Sequence, residues 1–135
     1  MTQPLSLFDI AGRAMSALMV RLNTTASNLA NAGSVAATKE GAFRPLKPVF
    51  ETLYEGATGK ATVGIAGVVT AALEPGRRHE PGHPLADADG YVHVAAVDPN
   101  AELVELVETA RQYQNNIEVL ETGKSLTLET LRLGR

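Results

Sequence analysis

The feature that most constrains this chain is a pair of apolar heptad seams, one at each end. Near the start, Phe8, Ala11, Met15, Leu18, Leu22, Thr25 and Leu29 lie alternately three and four residues apart. That spacing brings one side chain per turn onto a single face of an α-helix. Asp9, Arg13, Ser16, Asn23 and Ser27 fall away from the seam. The pattern predicts a helix from about Leu5 to Ala32, ended by Gly33 at the C′ position.

The second seam begins after Asp98-Pro99, a strong start signal, with Asp as N-cap and Pro at the first helical position. Leu103, Leu106, Ala110, Tyr113, Ile117 and Leu120 continue the three-four spacing. The pattern slips at Lys124 and resumes at Leu128 and Leu131. A four-residue slip is a stutter, which locally unwinds a supercoil. Gly123 sits at the slip and costs a helix about 1 kcal/mol relative to Ala. Glu102, Glu105 and Glu108 lie near the positive end of the helix dipole, Arg132 and Arg135 near the negative end.

Between the seams the chain changes character. Pro45, Pro48, Pro75, Pro81 and Pro84 interrupt it, and nine of the twelve glycines lie between positions 33 and 97. From Thr62 to Leu73, the residues Val63, Ile65, Gly67, Val69, Ala71 and Leu73 alternate, as in a strand bent at a glycine. Tyr91 to Ala95 is a shorter strand entered by an Asp89-Gly90 turn, and Phe43 to Tyr54 reads as either an extended or a helical lead-in. The expected fold is mainly α with a β-rich insert. Residues 1–32 and 98–135 are long helices pairing as one coiled-coil domain, and residues 33–97 form the insert. A two-helix hairpin leaves an apolar ridge, which favours association with further copies.

Composition narrows the function. Aromatics make up 4% and there is no Trp, so few bulky side chains are present to wall a substrate pocket. Net charge is −3 and the basic residues are scattered, which argues against nucleic acid. Without cysteine there is no disulfide, thiolate metal site or Cys nucleophile. No cleavable signal and no apolar run long enough to span a membrane is visible.

His79-Glu80-Pro81-Gly82-His83 satisfies the H-E-x-x-H pattern of zinc hydrolases. That pattern works only on a helix, which puts both imidazoles on one face. Pro81, Gly82 and Pro84 oppose such a helix, so a zinc-dependent hydrolase using His79, Glu80 and His83 is the weaker alternative. Asp87-Ala88-Asp89-Gly90 opens like a calcium loop, but Tyr91 and His93 occupy places where oxygen ligands belong. No cofactor, metal or small-molecule substrate is expected.

The most unusual stretch is Leu22-Asn23-Thr24-Thr25-Ala26-Ser27-Asn28-Leu29-Ala30-Asn31. Short polar residues are mediocre helix formers. Their presence on a seam helix means either a fraying end or a surface that bonds neighbouring copies and fixes register. The Leu22, Ala26, Asn28, Leu29, Ala30 and Asn31 pattern resembles the signature of flagellar rod, hook and hook-associated axial proteins. Three further runs are similar to the proximal rod protein C family of the bacterial flagellar basal body: Ser6 to Gly12, Pro81 to Val92, and Ala110 to Leu120 with Lys124-Ser125-Leu126. Arg13 and Gly123 depart from it, standing where a small polar residue and Ala are expected.

This resemblance implies a structural subunit of the proximal rod and not an enzyme. It would be exported unfolded by the flagellar type III route without a cleaved signal, and would sit in the periplasmic rod that transmits torque for motility. Its partners would be further copies, other rod proteins, and basal-body ring and adaptor proteins. The assembly seam is then expected at Phe8, Met15, Leu18, Leu22, Leu29, Leu106, Tyr113, Ile117, Leu120, Leu128 and Leu131. Polar contacts between subunits are expected at Asn23, Asn28, Asn31, Gln112, Asn115 and Asn116.

Overall fold

The computed structural model describes residues 6–134, so Leu5 and Arg135 of the sequence reading lie outside the described residues. Helix α1 spans Leu7–Ala30. It opens on a reciprocal cap. The Asp9 amide donates to the Ser6 hydroxyl at 3.1 Å, and the Ser6 amide donates to the Asp9 carboxylate at 2.9 Å. Two amides that a helix start leaves unpaired are thereby satisfied. Those bonds hold the Asp9 carboxyl below the usual range, the backbone donor from Ser6 contributing most.

The helix ends earlier than the sequence suggests. Asn31 is the C-cap, which places C′ at Ala32 rather than Gly33. Its side-chain amide donates to the Ser27 carbonyl at 2.8 Å, and the Ser34 hydroxyl donates to the Asn31 carbonyl at 2.8 Å. With these carbonyls satisfied, no left-handed residue is required. Among the described residues only Gly59 and Gly90 have positive φ.

Helix α2 spans Pro99–Leu133, with Asp98 as its N-cap and Pro99 in its first turn, as the sequence predicts. It is continuous through Gly123 and Lys124. At 1.5 Å per residue it is roughly 50 Å long. The helices run antiparallel: Leu7 meets Gly123, Arg21 meets Glu105, and Asn28 meets Glu102.

The insert contains two small antiparallel sheets. Strands β2, Leu46–Glu55, and β3, Lys60–Thr70, form a long hairpin. Its turn uses Gly59 at φ 66°, a conformation that costs other residues a steric clash. Register passes from Val49 opposite Gly67 to Phe50 opposite Ile65, so Ala66 is the extra residue of a bulge. The second sheet has the order β1, Val35–Ala36, then β5, Tyr91–Val94, then β4, Gly76–His79. Phe43 to Tyr54, ambiguous in sequence, supplies β2. Strands β1 and β4 carry no sequence signal, because one has two residues and the other, Gly-Arg-Arg-His, is an exposed edge without apolar alternation.

Two bonds between loops tie the insert to itself: the Ala95 amide donates to Ser34 at 3.0 Å and the Ala96 amide to Phe43 at 2.9 Å. Val92 is the fully buried apolar residue of the small sheet. The architecture is two paired helices with a β region between them in sequence, and the hairpin lies against α1.

Candidate assembly surface

The buried residues of the two helices are small or polar: Ala11, Ala17, Thr24, Thr25 and Asn28 of α1, and Thr109 and Gly123 of α2. A Cβ built on Gly123 would stand 2.8 Å from Leu7 Cδ2. The threonines satisfy their hydroxyls locally: Thr24 donates to the Arg21 carbonyl at 2.9 Å and Thr109 to the Glu105 carbonyl at 2.7 Å. That removes most of the cost of burying them.

The large residues of the expected seam are covered only in part. Met15, Leu18, Leu22 and Leu29 of α1, and Leu106, Tyr113 and Leu120 of α2, are half-buried. Phe8, Ile117, Leu128 and Leu131 are exposed. A single chain therefore covers only part of the seam.

The expected polar contacts divide in the same way. Arg21 forms an ion pair with Glu105 and donates to Gln112 at 3.3 Å, so Gln112 bridges the two helices of one chain. Asn28 was expected between subunits, but its amide is occupied inside the chain. Oδ1 accepts the Leu46 amide at 2.7 Å, while Nδ2 donates to the Leu46 carbonyl at 2.9 Å and to Glu102 at 3.2 Å. Asn31 caps α1, and Asn116 donates to the Gln112 carbonyl at 3.0 Å. Asn23 and Asn115 are exposed, and Asn115 lines a groove with Leu18 and Val63.

Substantial apolar surface remains open to solvent. At the start of α2, Leu103, Val104 and Val107 form a ridge, with Val104 66% exposed. At its far end, beyond the level of Leu7, Leu126, Leu128, Leu131 and Leu133 are exposed. The hairpin adds Val49, Phe50, Leu53 and Tyr54. A groove of about 580 Å³ between α1 and the hairpin is lined by Phe8, Ala17, Val20, Leu53 and Ile65 among others. Scattered apolar residues are normal on a protein surface, but patches repeated along one helix mark interaction sites.

The two sequence motifs that suggested chemistry are turns. His79 ends β4 with its ring 4.9 Å from that of Tyr91, Glu80 accepts from Arg78 at 2.8 Å, and His83 Nδ1 accepts the Leu85 amide at 3.1 Å. The pattern has no helix to align it. Asp87 accepts the amides of Tyr91 at 2.8 Å and Asp89 at 3.0 Å. These bonds, that from Tyr91 foremost, hold its carboxyl below the usual range, with Arg77 and His93 adding to them and burial opposing. Asp87 is thus the acceptor that folds the turn into β5. Among the described residues no three His, Asp or Glu side chains are grouped to hold a metal ion.

Comparison with known proteins follows the same regions. Residues 8–35 match the family described as Flagella basal body rod protein, and residues 88–133 match the Flagellar basal body rod FlgEFG protein C-terminal family. The flagellar basal-body rod protein FlgC of Salmonella typhimurium is 46% identical over 133 residues, covering 97% of this chain and 98% of its own length. The chain belongs to the FlgC family of flagellar basal-body rod proteins. The family's Escherichia coli O6:H1 member is 45% identical with the same coverage, and that of Yersinia enterocolitica is 42% identical over 131 residues. The two matched segments hold α1 and α2 almost entirely, so the likeness is carried by both halves of the helix pair.

Proposed function

We propose that this chain is a structural subunit of the bacterial flagellar basal-body rod and performs no catalysis. The single observation that carries this is the likeness to rod proteins along nearly the whole chain. The physical support is a helix pair that leaves a seam half-covered and a row of apolar residues exposed at both ends of α2. In this reading the uncovered sides of Met15, Leu18, Leu22, Leu29, Leu106, Tyr113 and Leu120, with exposed Phe8, Ile117, Leu128 and Leu131, pack against further copies and other rod proteins as a coiled coil. Asn23 and Asn115 supply polar contacts between subunits. Residues 1–32 and 98–135 act as one packing unit, and residues 33–97 as an insert outside it. The subunit reaches the periplasmic rod by flagellar type III export without a cleaved signal, meets ring and adaptor proteins there, and transmits torque through helix stiffness.

The decisive variants are Val104→Asp and Leu131→Asp, in a cell whose own copy has been replaced. Both side chains are mostly exposed, so the monomer keeps its helicity by circular dichroism. A buried interface does not tolerate an unpaired charge, so rods and swimming are expected to be lost. Normal swimming with both variants would sink the proposal.

A further inference from the structure

Asn28 is 2% exposed and makes three hydrogen bonds to two separate segments of the chain. Two of them go to a single residue: the Leu46 amide donates to its oxygen, and its nitrogen donates to the Leu46 carbonyl. In an antiparallel strand both backbone groups of one residue point to the same side. The Asn28 amide therefore pairs with the outer edge of β2 at its first residue, as a neighbouring strand would. The third bond reaches Glu102 in the first turn of α2. Leu46 lies opposite Thr70 in the hairpin, so holding Leu46 holds the root of both strands. One side chain thus joins α1, α2 and the hairpin where all three meet. Arg21 and Glu105 add an ion pair one turn along α2.

Geometry alone makes this a device for direction. A hairpin of two long strands joined to α1 by packing on one side can pivot about its root. Two bonds to one residue, one on each of its flanking peptide groups, remove that pivot, because both must stay near-linear to persist. The exposed residues Val49, Phe50, Leu53 and Tyr54 lie farther out along β2, so a small change of angle at Leu46 moves them most.

We propose that Asn28 is a positioning residue that fixes the angle of the β2–β3 hairpin on the helix pair, and that rod assembly depends on that angle. This rests on the rod-subunit reading above. The test uses the full chain. Because it contains no cysteine, two can be introduced at exposed Thr58 and Glu118 and spin-labelled. Pulsed distance measurement on the parent should give one narrow distribution. Asn28→Asp loses both donors and places a carboxylate beside Glu102, so the distribution should broaden and swimming should be lost. Adding Glu102→Gln replaces the repulsion with a donor, and should narrow the distribution and return part of the swimming. General loss of stability would not be repaired by that one change. Should Asn28→Asp fail to fold, Asn28→Ser removes the reach to Leu46 without adding charge, and must broaden the distribution at unchanged helicity. A distribution that stays narrow in both Asn28 variants overturns the proposal. So does normal swimming in a chain with a broadened one. The purified-chain distances do not depend on the rod reading, which Val104→Asp and Leu131→Asp test separately.

Discussion

The buried polar residues show how local bonding decides what a side chain is worth. Thr24, Thr109 and Asn28 are all buried and all have partners. Thr62 does not: its hydroxyl is enclosed in β3 with no hydrogen-bond partner. An enclosed hydroxyl without a partner costs about 1–3 kcal/mol, whereas Val has nearly the same shape and favours strands. Thr62→Val is therefore expected to stabilise the chain by about 1 kcal/mol. Urea unfolding should show a higher midpoint at an unchanged slope. A lower midpoint would mean that the hydroxyl finds a partner in solution. Several amides in the Asn-rich stretch prove to be internal for the same reason. An asparagine in a sequence announces only a capacity to bond, and the partner is set by what packs against it.

At the scale of single elements, α2 carries a residue that local propensity disfavours. Gly123 weakens the helix as an isolated segment, yet it lies buried under Leu7. The atom a new Cβ would meet is the free end of a half-exposed leucine, which can swing aside. Gly123→Ala should thus raise helicity and leave thermal stability unchanged or higher by up to about 1 kcal/mol. Gly123→Leu has no comparable room and should lower the melting temperature. A destabilised alanine variant would show that Leu7 is fixed. Such a result would make the close approach itself the reason for glycine. The start of α2 behaves as its sequence implies, with the Asp98 side chain accepting the Asn100 amide, and Ser6 with Asp9 satisfies amides at the start of α1 in the same local way.

For the whole molecule, fold closure joins the two ends of the chain. The contact from Leu7 to Gly123 and the ion pair from Arg21 to Glu105 both span most of the sequence. Neither helix has another long helix to rest on, and isolated helices are marginal in water. Removing residues 99–133 should therefore cost more helicity than α2 itself contributes, because α1 loses its partner. Far-UV circular dichroism of the truncated chain, scaled per residue, measures this. Retention of full α1 signal would show that the hairpin alone suffices. The same closure explains why the expected seam is only half-covered. Two helices can bury one side of each other's stripe, and the other side awaits further contacts.

The sequence by itself determined the two helices, the cap of α2 at Asp98-Pro99, the strands β3 and β5, and the turn at Asp89-Gly90. Those follow from periodicity and from bonds between residues a few positions apart. Its likeness to flagellar axial proteins was also readable from short motifs at fixed places in α1, the loop before β5, and α2. Only the tertiary structure decided which stripe faces inward. Ala17 and Gly123 are buried while Leu18 and Leu120 are only half-buried, because burial is set by whatever packs on each face, whereas hydrophobicity alone points to the leucines. It also decided that Asn28 holds Leu46 and Glu102, 18 and 74 residues away. No local pattern encodes a bond of that reach, since its geometry exists only once α1, α2 and β2 have met.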